Sequence, residues 1–197
     1  EATFALSLFA LIYLVAFQYF TNPAVAFVKN AASAFVGGEL AQHMLLAVIC
    51  LVPFLLALLL RGQPFKSIGW GKDNLRAGAT LGIMLAVVTL FLRGKFTALL
   101  AGVSSEQGGL LLVWLLLAAA EETIFRGYIL GRLSALLGSP WGWLATTGLF
   151  VLWQLPGRLW VSPITDFWPV LVISAIQGLL LGWIMRKSRS EEHTSEL

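Results

Sequence analysis

Charge is what this chain has least of. Charged residues make up 12% of its 197 positions against 58% hydrophobic ones, and a soluble globule of that length needs more polar residues to cover its surface. The composition excludes water as the main solvent. Cysteine is almost absent: Cys50 alone excludes an intrachain disulfide and a cysteine-based metal site, and its place inside an apolar run reads as small-residue packing. The formal charge of +3 is scattered over the ends of apolar runs, with no basic stripe or block, so a nucleic-acid partner has no support. Internal repeats, low-complexity blocks and composition shifts that would mark a second domain are also missing.

What is present is a series of uncharged apolar runs of about 20 residues, the length an α-helix needs to cross a hydrocarbon core of roughly 30 Å. Six spans are predicted, near 3–20, 40–60, 75–92, 109–130, 141–155 and 168–186. The fold class is therefore all-α, a multi-pass transmembrane bundle with the lipid bilayer as a partner. The fifth span is short and is expected to end in a partly buried loop at Pro156 or to begin earlier, near Leu136. Arg61, Lys66, Lys72, Arg76, Arg132, Arg186 and Lys187 fall on one side of this arrangement. The opposite loops carry Lys29, Arg93, Lys95 and Arg158, partly offset by Glu39, Glu106 and Asp166. The positive-inside tendency makes the first side, and the N-terminus, cytoplasmic.

Gly78, Ala79, Gly82, Gly148, Gly178 and Gly182 stand where helices could approach closely, the last two as a small-xxx-small pair. Of the eight tryptophans, Trp70, Trp141, Trp143, Trp160 and Trp168 lie near predicted span ends, where interfacial anchoring explains them. Trp153 lies inside the fifth span, where helix packing and a cavity wall are both open to it. The last nine residues, Arg189 to Leu197, resemble a translated sequencing adapter. The domain reading is thus one membrane domain over 1–188 and a non-native tail over 189–197, with at least one further helix expected beyond Ser188. His193 belongs to that tail. His43, the other histidine, reads as an interfacial or interhelical hydrogen-bond partner.

The fourth span runs uncharged from Gln107 to Ala120 and then meets Glu121 and Glu122. Each carboxylate costs several kcal/mol at bilayer depth unless paired or wetted. Neighbours on an α-helix point about 100° apart, so the two cannot share one partner by facing the same way. Arg126 stands four residues after Glu122, the favourable order for an acid-to-base pair on one helical face. Glu121 is then left without a local cation. A carboxylate in a partly dry pocket is a better proton acceptor, which a general base acting on water requires. Glu121 is the candidate base. The bland alternative is that both acids sit near the cytoplasmic end, satisfied by Arg132 and interfacial water.

Glu-Glu-x-x-x-Arg at 121–126, followed by Gly127 and a downstream apolar helix with an aromatic four residues ahead of a polar position, resembles the CPBP intramembrane metalloproteases, also called the CAAX-protease and bacteriocin-processing or Abi family. The resemblance implies that Glu121 activates water and that Glu122 and Arg126 complete the catalytic motif. It also implies a divalent metal, Zn2+ by analogy, a peptide or membrane-protein substrate, and a bacterial inner-membrane location. The family's second motif is Phe-x-x-x-His; here Phe150 is followed at the fourth position by Gln154. Gln154 thus stands at the metal-ligand position with a neutral amide, a weaker zinc ligand than imidazole. The third motif, His-x-x-x-Asn on a later helix, has no counterpart.

Three readings follow. The first is a membrane-embedded metal-dependent endopeptidase. The second, favoured by Gln154, is a catalytically inactive relative that binds a peptide or membrane partner, for example in bacteriocin self-immunity. The third is an ion-coupled transporter with Glu121 as proton carrier, against which stands the lack of paired Gly/Pro-interrupted spans.

Overall fold

The computed structural model describes residues 1–28, 30, 39–68, 70, 80, 102, 104–159 and 163–195, and of 39–43, 66, 105, 106, 110–112, 114, 164 and 187–195 it describes the backbone alone. The predicted span at 75–92 lies outside the described residues apart from Thr80. So do Gly78, Ala79, Gly82, Trp160 and the side chain of His43. Among the described residues the chain is all-helical, 87% helix with no strand.

Helix α1 (Ala2–Thr21) buries Ala5, Leu8, Ile12, Ala16 and Tyr19, a stripe at three- and four-residue spacing. Its other faces are equally apolar, with Leu11 and Leu14 at least half exposed. A helix apolar all round suits a lipid surround. It stops because Asn22 precedes Pro23, which disfavours helical backbone, and the Asn22 side chain accepts from Ala24 N–H at 2.9 Å. Helix α2 (Glu39–Leu60) buries Cys50, Phe54, Ala57 and Leu58. It closes on Gly62 at φ +59°, with Gln63 N–H reaching back to the Leu58 carbonyl at 2.9 Å. That left-handed glycine turn satisfies carbonyls the helix would otherwise leave open.

Helix α3 (Ser105–Glu122) starts from a reciprocal cap. Ser104 Oγ accepts from Gln107 N–H at 3.2 Å while Gln107 Oε1 accepts from Ser104 N–H at 3.1 Å. The chain then continues without a break through a π-helical segment, Thr123–Ile129, into α4 (Leu130–Leu137). Gly138 at φ +82° turns it into α5 (Ser139–Trp153), and a turn-rich stretch with buried Pro156 leads to α6 (Ile164–Ser195). The expected loop at Pro156 is present. The earlier start of the fifth span near Leu136 is not, because Gly138 breaks the helix there.

By length and composition, α1 and the Thr165–Arg186 part of α6 can cross a membrane, and Met44–Leu60 is apolar but shorter. The π-segment is the core. Phe125, Tyr128 and Ile129 are fully buried, Phe125 edge-on to Phe9 and Phe150 at 6.0 and 5.2 Å, Tyr128 edge-on to Phe54 at 5.1 Å. Lipid tails are as apolar as these rings, so close fit and polar contacts hold such helices together. Gly178 and Gly182 show the fit: an added Cβ would lie 2.8 Å from Thr147 and 2.5 Å from Trp143. Gly148, by contrast, faces no neighbour within 4 Å among the described residues.

The tryptophans divide similarly. Trp141 and Trp168 are largely exposed, but Trp143 donates to the Leu179 carbonyl at 3.1 Å and Trp70 donates to Thr123 Oγ1 at 3.1 Å. For those two, interhelical bonding replaces the expected interfacial anchoring.

Candidate functional site

The residues at 121–126 straddle a change of helix type. Thr123 N–H is shared between the Ala119 and Ala120 carbonyls, and by Leu130 the N–H bonds to Phe125, five residues back. Segments of this kind recur at functional sites because the extra residue re-aims the side chains around it. Two contacts from the turn before Trp70 brace it. Trp70 holds the Thr123 hydroxyl, which itself donates to Ala119 O at 2.7 Å. Gly127 lies against the Ile68 carbonyl so tightly that a Cβ would come within 2.6 Å of it. Only glycine lets the 3₁₀ turn Phe65–Ile68 rest on the π-segment there.

The two glutamates have different partners. Glu122 Oε1 lies 2.9 Å from Arg126 Nη1, in the i,i+4 register. The guanidinium is buried, sits 4.1 Å above the Phe150 ring, and keeps both Nη atoms without a well-aligned hydrogen bond. Charge proximity and the aromatic face, not directed hydrogen bonds, hold it. Glu121 instead accepts from the Trp153 indole N–H at 3.0 Å through Oε1. Arg132, the partner in the bland reading, is occupied elsewhere: it contacts Glu1, Gln63 and the Tyr128 carbonyl and lies over the Tyr128 ring.

Glu121 lines a cavity of about 410 Å³ with Trp153, Gln154 and Arg158, and with apolar walls that include Ala16, Phe20 and Cys50. Cys50 is thus a wall residue as well as a packing one. Gln154 is the C-cap of α5 at φ −76°, ψ −13°, not an interior residue of the span as the 141–155 boundary implied. Phe20 packs on Gly157, and 19 residues of helix separate Phe20 from Glu1, about 28 Å. The cavity therefore lies toward the end of the bundle away from the Glu1–Arg61–Arg132 cluster.

The cavity's donor set among the described residues is one carboxylate, already bonded at one oxygen, and one neutral amide. No group of three His, Cys, Asp or Glu side chains converges among the described residues. This set does not fit a zinc centre, which takes three or four N, S or O ligands.

Sequence reasoning missed two things here. The π-segment carries no periodicity signal, though Gly127 amid bulky residues marks the close approach of Ile68 within it. Trp153 as a donor to Glu121 could have been anticipated only by pairing two helices.

No curated protein and no solved structure matches the chain. Residues 103–192 match the family model described as Type II CAAX prenyl endopeptidase Rce1-like. That stretch contains Glu121, Glu122, Arg126, Phe150 and Gln154, the residues on which the resemblance to the CPBP family rests.

Proposed function

We propose that this protein is a membrane-embedded endopeptidase of the CAAX-protease type, with Glu121 as the base that activates water. The observation that carries the reading is the divergence of the two adjacent acids: Glu122 is taken by Arg126, while Glu121 faces the cavity with one oxygen fixed by Trp153. In the proposed step Glu121 takes a proton from water, the water oxygen adds to the scissile carbonyl carbon, and Glu121 returns the proton to the departing amide nitrogen. Gln154, on the same cavity, can donate an amide N–H to the substrate carbonyl oxygen. Glu122 and Arg126 hold the segment in place. Trp153 orients the carboxylate.

The metal-dependent form of this reading, with Zn2+ or another divalent ion, needs ligands beyond the described residues, and no step above runs through one. The multi-pass topology, the six spans, the bacterial inner membrane and the cytoplasmic N-terminus belong to the same proposal. With the N-terminus cytoplasmic, the cavity lies toward the opposite face.

The test is cleavage of a prenylated CAAX peptide and of unprenylated peptide pools by the full chain in nanodiscs, where both faces are accessible, with Glu121→Gln alongside. Cleavage lost in the variant, with unchanged thermal unfolding, is expected; retained cleavage removes Glu121 from the mechanism. Gln154 favours a second reading, an inactive family member that binds a peptide or membrane partner, as in bacteriocin self-immunity. That reading predicts no cleavage by the wild type and a phenotype that survives Glu121→Gln.

A further inference from the structure

Of the described residues lining the cavity, two carry charge, Glu121 and Arg158. They do not neutralise each other. No ion pair within 4.0 Å joins Arg158 to any acid among the described residues, and its side chain is exposed on the turn that follows α5. Every other arginine whose side chain is described is engaged: Arg61 and Arg132 with Glu1, Arg126 with Glu122, and Arg186 over the Trp143 ring at 5.2 Å. Arg158 is also fixed in place at its backbone. Its N–H bonds the Leu155 carbonyl at 3.0 Å, Pro156 beside it is buried, and Gly157 is pinned under the Phe20 ring.

We infer that Arg158 is a specificity-determining residue that binds a carboxylate of the peptide occupying this cavity. A guanidinium is a planar, permanently charged fork matched to a carboxylate, and in an apolar-walled recess its charge-assisted bonds gain strength. The walls are mostly apolar, and among the described lining residues Arg158, at the exposed rim, is the one cation. A peptide held between Arg158 and Glu121 has its carboxylate at the rim and a backbone carbonyl carried inward toward the base. The carboxylate is that of a chain terminus or of an Asp or Glu side chain. The inference rests on the proposed peptidase reading for the identity of the ligand as a peptide, although binding does not require that cleavage occur.

The experiment measures binding and cleavage separately. Fluorescent peptide pools are prepared in three forms, with a free C-terminal acid, as the C-terminal amide, and as the amide with one internal glutamate. Affinity is read by fluorescence anisotropy on the full chain and on Glu121→Gln, both in nanodiscs. The expected result is that one carboxylate form binds about 10-fold more tightly than the plain amide. That preference disappears in Arg158→Gln, is partly kept in Arg158→Lys, and shows in cleavage as a change in KM with kcat little altered. The form that gains identifies the source of the carboxylate. Equal affinity of all three forms for the wild type, or a preference that survives Arg158→Gln, overturns the inference and leaves Arg158 to lipid phosphates. Binding preference without cleavage would instead count against the peptidase reading alone.

Discussion

Two polar clusters at different depths of this bundle are built on opposite rules. At the Glu1 end, Arg61, Gln63 and Arg132 converge on one carboxylate, with Arg61 Nη1 2.6 Å and Arg132 Nε 3.4 Å from it, and Arg61 also lies over the Phe4 ring. Cations outnumber acids there, and each is engaged by a carboxylate, an amide or a ring. At the cavity the numbers balance, yet Glu121 and Arg158 stay apart. The lesson is that a paired charge ties helices together, whereas one kept from its available partner is held ready for something that is not yet there. Glu122–Arg126 is the internal control. It lies beside the cavity but follows the rule of the other cluster.

The comparison breaks first at Glu121. Glu121→Gln is expected to lower cleavage by roughly 10²- to 10⁴-fold, the usual worth of a positioned general base, with thermal stability in detergent unchanged because the amide keeps the indole bond. A parallel loss of stability would make Glu121 a structural acid. Next is Gln154→His. An imidazole in place of the amide should tighten zinc binding, measured by competition with a chelating dye, by at least the roughly 10- to 100-fold that outer-shell changes produce at metal sites. No gain would mean that Gln154 does not face a metal position.

Glu122→Gln sharpens the contrast from the structural side. It strands the buried Arg126 guanidinium, and unfolding should become easier by about 2 kcal/mol, less than for a fully buried pair because the Glu122 side chain is 42% exposed. Equal stability of wild type and variant would show that the Phe150 face alone holds Arg126. The smallest effect belongs to Glu1. The hydrogen bond from Gln63 holds its carboxyl below the ordinary glutamate value, burial opposes this, and Arg61 and Arg132 add to the lowering. A folded value below the unfolded one stabilises above the ordinary value near 4.3 and is lost as pH falls through the lowered one. Melting temperature followed from pH 6 to pH 3 should therefore fall less steeply in Gln63→Ala than in the wild type.

Much of this was legible in the sequence. The all-helical fold, the helices around 3–20, 40–60 and 168–186, and the Glu122–Arg126 pair all follow from run length and from three- and four-residue spacing, which are local properties. What was not legible depends on pairs of distant residues. Trp153 meeting Glu121, Trp70 meeting Thr123 and Ile68 meeting Gly127 each join two elements, and nothing in either element alone specifies its partner. Gly178 and Gly182 meet Thr147 and Trp143 as their small size suggests, whereas Gly148 meets no described residue.

The π-helical segment has a consequence for how this chain tolerates length changes. A helix with bonds to the fifth residue holds one residue more than regular α-geometry accommodates, so Thr123–Ile129 behaves as a stored insertion. Deleting one residue there would let the backbone relax to ordinary α-helix. The elements downstream would keep nearly their present direction, because the wider π turns already absorb the added residue. The side chains inside the segment, Arg126 over the Phe150 ring among them, would be re-aimed. The bundle would keep its helices, so this stretch is where the chain can lose one residue with the least disturbance beyond its own seven side chains.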